Sequence, residues 1–297
     1  MYFASDNWAG AHPAIAARLF EASTGFVPAY GASDLDQAVA RQFNDIFERA
    51  VSVFFVSTGT AANSLALASV AKTGGVVFCH SDAHIMADEA GAPEFFTESA
   101  RLAPVSGVDG KMDPDVLKEV IARYPAAFVH HGQPMAISLT QATEAGTVYS
   151  LDEISAIAAI AQEQNLPLHM DGARFANALV SLGCSPAEMT WKRGVDLLSF
   201  GGTKNGCWCA EAIVCFNPEK ARDLPYIRKR AAQLFSKSRF VAAQFNAYLE
   251  EDLWLDLARH ANRMADRLRS AITTSPIARL GWETTANEVF AILKKDT

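Results

Sequence analysis

The sequence predicts an α/β fold in which a mostly parallel central sheet carries helices on both faces, followed by a smaller C-terminal α+β part. Up to Asp223, short apolar runs alternate with amphipathic stretches, the pattern of strand and crossover-helix units. Two helix starts punctuate that alternation: Asp113-Pro114 places proline at a first helical position, and Ser150 with Glu153 forms a capping-box pair. After Asp223 the alternation gives way to long helical stretches and one late apolar run.

In chain order, strands are expected at Val51 to Val56, Val76 to His80, Leu102 to Val105, Ala136 to Gln141, Leu166 to Met170, Asp196 to Phe200 and Ala212 to Phe216. Each is a short apolar or β-branched run bounded by turn-forming residues. Helical spacing of apolar positions predicts helices over Thr60 to Lys72, Asp113 to Tyr124 and Leu151 to Gln164. Beyond Asp223 the expectation is one helix from Tyr226 to Leu249, another from Leu253 to Ile272, and a strand from Glu288 to Leu293. Residues 1–240 are thus expected to form a large α/β domain with an N-terminal segment. Residues 241–297 would form a partial small domain, because little chain follows Leu293 to complete a core.

With 297 residues, 50% hydrophobic and 20% charged, the chain can bury a large core. Its net charge of −7 comes from dispersed acids, and the only basic concentration is Arg228-Lys229-Arg230 with Lys237 and Arg239; nucleic-acid binding is not expected. The N-terminus shows no basic region leading into an apolar stretch, and no run has the length of a membrane span. The expectation is a cytoplasmic protein without a membrane partner. The five cysteines lack metal-ligand spacing and are read as reduced thiols, mostly in the core; no metal is expected.

The chemistry concentrates at strand ends, where ligands of open α/β sheets bind. Asp171 follows the run Leu166 to Met170, and Lys204 follows the next run in the loop Gly201-Gly202-Thr203-Lys204-Asn205-Gly206. Alone, each is ordinary, since aspartates cap helices and form turns and lysines decorate surfaces. Together they are what pyridoxal phosphate requires: an amine to form a Schiff base with its aldehyde, and an acid to keep the ring nitrogen protonated. The loop Ser57-Thr58-Gly59-Thr60-Ala61 ahead of a helix adds an anion cradle of unpaired amides and hydroxyls. His84, after another apolar run, can stack on a flat ring or move a proton. Arg174, three residues beyond Asp171, suits a substrate carboxylate or the ring oxygen if a helix begins at Gly172. His80, His130, His131 and His169 have no neighbour that gives them a defined role and are read as structural.

On these residues the sequence resembles the low-specificity L-threonine aldolases and phenylserine aldolases, fold-type-I PLP-dependent transferase-like enzymes. The resemblance is carried by Ser5-Asp6-Asn7, Thr58 to Asn63, His84 with Asp88 to Phe96, Thr140 to Tyr149, His169 to Arg174 and Phe200 to Gly206. It implies Lys204 as the Schiff-base lysine, Asp171 as partner of the ring nitrogen and His84 over the ring. It also implies Gly59, Thr60 and Ala61 in the phosphate cradle, Arg174 near the ring oxygen and substrate, and Ser5 at the substrate carboxylate. Related enzymes often carry histidine where this chain has Glu144, so the base for the substrate hydroxyl stays open among His84, Glu144 and an ordered water. The resemblance further implies a homodimer or homotetramer with shared active sites, to which Tyr30, Lys229 or Arg239 would contribute across the interface. The expected reaction is cleavage of L-threonine or another β-hydroxy-α-amino acid, such as allo-threonine or phenylserine, to glycine and an aldehyde. Alternatives are another PLP reaction, β-elimination or transamination, or a truncated PLP-binding protein with little activity, since relatives continue beyond the position of Leu293.

Overall fold

In the computed structural model, which describes residues 4–125 and 127–294, seven strands form one sheet. They are β1 (Ser52–Val56), β2 (Gly75–His80), β3 (Arg101–Val105), β4 (Gln133–Thr140), β5 (Leu168–Gly172), β6 (Leu197–Gly201) and β7 (Glu211–Cys215), in spatial order β1-β7-β6-β5-β4-β2-β3. Strands β6, β5, β4, β2 and β3 are mutually parallel, and β7 runs antiparallel to both β6 and β1. The sheet is therefore mostly parallel, with each expected strand present to within a few residues. Strands β2, β5, β6 and β7 are buried along their whole length. Burial on both faces is why they read as continuous apolar runs rather than alternating ones.

The helix starts read from sequence occur where expected. Asp113 accepts from the amides of Asp115 and Val116 ahead of helix Pro114–Ala122. Ser150 and Glu153 cap helix Leu151–Glu163 reciprocally. Thr58 caps helix Gly59–Ala68 through the Ala61 amide, at 3.1 Å.

Two expectations fail in the C-terminal third. The single helix from Tyr226 to Leu249 is two, Leu224–Arg230 and Arg239–Leu249. Between them Ala232 takes a positive φ of 58°, and the Gln233 side chain accepts both the Ser57 amide and hydroxyl at 3.0 Å. Helical periodicity cannot report a break made for a partner 176 residues away. The strand expected from Glu288 is only β9 (Ala291–Leu293), paired antiparallel with β8 (Ala278–Leu280). The preceding residues are held by side chains instead: Arg269 donates to the Thr284 hydroxyl at 2.8 Å and the Ala286 carbonyl at 3.1 Å.

Phe200 on β6 is the hub of an aromatic core. Its ring lies 5.1 Å from Phe43, 5.9 Å from Phe245, 5.7 Å from Trp254 and 5.5 Å from Phe175. Burying each such ring stabilises the fold by roughly 1.5–3 kcal/mol, and this anchors the strand that leads to Lys204. Cys79, Cys207 and Cys215 are buried free thiols, and burial pushes Cys79 up to about 12.

Candidate active site

Parallel strands deliver their carboxyl ends to one edge of the sheet, so side chains distant in sequence converge there. From that edge come the helix start at Gly59 after β1, His84 after β2, Glu144 after β4, Asp171 at the end of β5 and Lys204 after β6. Because β7 is antiparallel, its first residue, Glu211, reaches the same edge, opposite Val56 and Gly201.

A cavity of about 280 Å³ opens here, lined by Gly59, Thr60, His84, Asp171 and Lys204 together with Asn7, Ser57, Thr58, Asn63, Glu89, Ala173, Thr203 and Glu211. The turn that carries Lys204 is fixed from behind: Asn205 donates to the Tyr248 hydroxyl at 2.7 Å and to the Trp254 carbonyl at 2.9 Å. Gly201 must be glycine, since a Cβ there would meet the Ala173 carbonyl oxygen at 2.5 Å.

Asp171 is buried, with one oxygen accepting from the Ala173 amide at 3.0 Å and the other from Asn63 Nδ2 at 2.9 Å. The same Nδ2 donates to Glu89 Oε1 at 2.8 Å, and Glu89 Oε1 also faces His84 Nδ1 at 2.8 Å. The hydrogen bond to Glu89 raises the His84 pKa; burial opposes it, and the charges of Glu89, Asp171 and Glu144 add to the rise. Burial pushes Glu89 itself upward, against its hydrogen bonds to His84 and Asn63.

Behind Asp171, His169 is wholly buried between the Ser138 hydroxyl at 2.9 Å and the Ser199 hydroxyl at 3.0 Å. Burial lowers it to about 4, so it is a neutral strut between β4 and β6. Glu211 accepts from the Thr203 amide at 3.3 Å, and burial raises it to about 7 against the opposing pull of Thr203 and Lys204.

The other expected residues lie off this cavity. Ala61 spends its amide on the Thr58 cap. Arg174 stands at the N-cap of helix Phe175–Leu182, so the helix begins three residues later than its expected start at Gly172. Arg174 is 8% exposed; its guanidinium is paired with Asp6 at 2.8 and 3.2 Å and with Glu288 at 3.1 Å, and lies 3.9 Å from Glu144. It borders a second cavity of about 360 Å³ that Ser5, Asp6, Asn287 and Glu288 also line. Burial would lower the Arg174 pKa, but Glu288, Asp6 and Glu144 together raise it. Burial works to raise Asp6, yet Arg174 and Asn287 hold it below the ordinary carboxylate range. Glu288 is pushed by burial to about 7, with Arg174 opposing. Ser5 caps the short turn Asp6–Trp8. Tyr30 is exposed, 5.6 Å from the Lys229 ammonium, and Arg239 donates to the Gly25 carbonyl at 3.0 Å.

Sequence reasoning did not assign a role to Asn63, Glu89, Gln233, Asp6, Glu211 or Glu288. Only Glu89 carried a local signal, as an acid five residues after His84.

The donor set suits a flat, anionic, aldehyde-bearing cofactor. The first amides of helix Gly59–Ala68 have no intrahelical partner, and a Cβ built on Gly59 would meet nothing within 4 Å, so the helix start faces open space. Asn63 Oδ1 and Glu89 Oε2 are buried without a partner among the described residues.

A mostly parallel sheet with an acid and a lysine at adjacent strand ends defines the fold-type-I class of PLP enzymes. Residues 2–295 match the model of the beta-eliminating lyase family, and the chain belongs to that family. It is 45% identical over 293 residues to the low-specificity L-threonine aldolase of Pseudomonas aeruginosa, covering 99% of this chain and 84% of that protein. It is 44% identical over 288 residues to the low-specificity L-threonine aldolase of a Pseudomonas species, covering 97% and 83%. Among solved structures, the threonine aldolase of Leishmania major superposes with a TM-score of 0.92 at 26% identity, over 98% of this chain and 84% of that one.

Proposed function

We propose that this protein is a PLP-dependent aldolase that splits L-threonine and related β-hydroxy-α-amino acids, including allo-threonine and phenylserine, into glycine and an aldehyde. One observation carries this reading: Lys204, Asp171, His84 and the Gly59-Thr60 helix start line a single cavity in a chain 45% identical, almost end to end, to an aldolase of that name. When bound, the cofactor supplies an electron sink for the pair released on Cα–Cβ cleavage.

The protein's own groups divide the remaining work. Lys204 is the covalent anchor, and the Asp171 carboxylate holds a proton at the cofactor's ring nitrogen. The helix start, with the Thr60 hydroxyl, receives the phosphate. Arg174, steadied by Asp6, receives the substrate carboxylate beside Ser5. Of the groups considered for the hydroxyl proton, His84 lines the cavity whereas Glu144 lies against Arg174; His84 is assigned as the base. We further propose a cytoplasmic homo-oligomer in which Tyr30, Lys229 and Arg239 reach a neighbour's cavity. The exposed Trp8, Phe20, Phe26 and Tyr30 side chains support such an interface, and no helix among the described residues is long and apolar enough to cross a membrane.

Steady-state assay with L-threonine, L-allo-threonine and phenylserine tests the reaction. Aldehyde and glycine are expected in equal amounts; ammonia with a keto acid would instead show elimination, and no product from any of the three would remove the assignment.

A further inference from the structure

His84, Glu89, Asn63 and Asp171 form one hydrogen-bonded chain, buried except at the half-buried His84, whose members come from four places: the segment after β2, the turn leading to Gly91, helix Gly59–Ala68 and the end of β5. Asn63 and Glu89 are 1% and 4% exposed, so neither is a casual surface pair. The Asn63 amide nitrogen donates to both carboxylates at once. That fixes which end of the amide points inward, since an oxygen there would face two acceptors.

We propose that Glu89 and Asn63 are positioning residues, Glu89 holding the His84 imidazole by Nδ1 so that Nε2 is left for the substrate hydroxyl, and Asn63 tying that pair to Asp171. His84 Nδ1 is spoken for by Glu89, and Nε2 has no partner among the described residues. An imidazole oriented by an acid on one nitrogen and open on the other is the arrangement of an efficient base. During cleavage the β-hydroxyl proton would pass to Nε2 and the O–H electron pair would form the aldehyde carbonyl as the Cα–Cβ bond breaks, with bound pyridoxal phosphate supplying the sink for the released pair. The imidazolium so formed is balanced by Glu89. The other groups facing His84 are Asp171 from β5 and Glu144 from the loop after β4, whose charges favour the protonated ring, and Lys204 shares the cavity.

This inference deepens the aldolase reading and rests on it for the substrate, but its first test does not. The His84 titration is followed by NMR in ¹⁵N-histidine-labelled protein with and without added pyridoxal phosphate, the signal assigned by its loss in His84→Asn. Glu89→Gln is expected to lower the His84 midpoint by about one pH unit or more, and Glu89→Asp, which keeps the charge, to restore part of that shift. The acid limb of the kcat profile should move with the midpoint, and kcat with L-threonine should fall roughly 10–100-fold with a smaller change in KM. A folded Glu89→Gln protein whose His84 midpoint and acid limb stay where they are in the wild type overturns the proposal. Should Glu89→Gln fail to fold, Glu89→Asp decides alone: the shortened acid must lower the midpoint, and an unmoved midpoint overturns the proposal. If the wild type cleaves none of the three hydroxy amino acids, the aldolase reading falls while the titration still tests the Glu89 contact.

Discussion

The cavity between Asp171 and Lys204 and the cluster around Arg174 lie at the same edge of the sheet, yet they are built in opposite ways. The first rests on strand ends: β5 and β6 are paired neighbours, so two short local sequences bring the acid and the amine together. The second is assembled from distant chain: Asp6 and Asn287 meet across 281 residues, and Asp6 meets Arg174 across 168. The cradle is held by backbone hydrogen bonds and a buried aromatic core, whereas the arginine is held by carboxylates that resemble the substrate group it is proposed to bind. Adjustability therefore resides in the arginine cluster. Sheet geometry is costly to alter, while an ion-paired cluster responds to charge.

The largest expected effect is on the cradle. Lys204→Ala should lower kcat by at least about 10³-fold and abolish the borohydride-stable adduct with pyridoxal phosphate, measured by mass spectrometry of the peptide containing residue 204. A comparable loss at Arg174 would make the two regions equivalent. Instead, Arg174→Lys, which keeps the charge but gives up the fork to Asp6, should act mainly on KM for L-threonine, raising it about tenfold.

Smaller still is the pH response of the cluster. Glu288 is raised to about 7, so it is uncharged below that pH and gains charge as pH rises through it. The new anion then competes for Arg174, and KM should climb roughly two- to five-fold between pH 6 and 8. Glu288→Gln should flatten the climb; a slope that persists in the variant assigns it to another group.

The smallest effect is on stability and belongs to the cradle. Glu211 carries a folded-state pKa of about 7 against an ordinary value of 4.5. Its contribution to stability is fully present below the unfolded value and is lost as pH rises through about 7. Glu211→Gln should therefore remove a decline on the order of 1–3 kcal/mol across that window, read from urea unfolding at pH 5 and pH 8. Parallel curves for wild type and variant would show that Glu211 is compensated by Lys204.

The two histidines of the site make the same point on a smaller scale. His84 and His169 both follow apolar runs, yet one gains a carboxylate and rises while burial drives the other down to about 4. The partner of His84, Glu89, lies five residues on, whereas the sequence neighbours of His169 gave no hint of Ser138 or Ser199, because those partners arrive from other strands.

Local chemistry in the chain determined the strand ends, the helix caps at Thr58, Asp113 and Ser150, and the order in which Gly59, His84, Asp171 and Lys204 appear, since backbone propensity and burial act over a few residues. Only the tertiary structure decided that Gln233 breaks a helix to reach Ser57, that antiparallel β7 brings Glu211 to the cavity, and that Asp6 and Glu288 enclose Arg174. Those pairings depend on which elements the sheet order makes neighbours, and a buried polar group takes its partner from whatever the packing sets beside it.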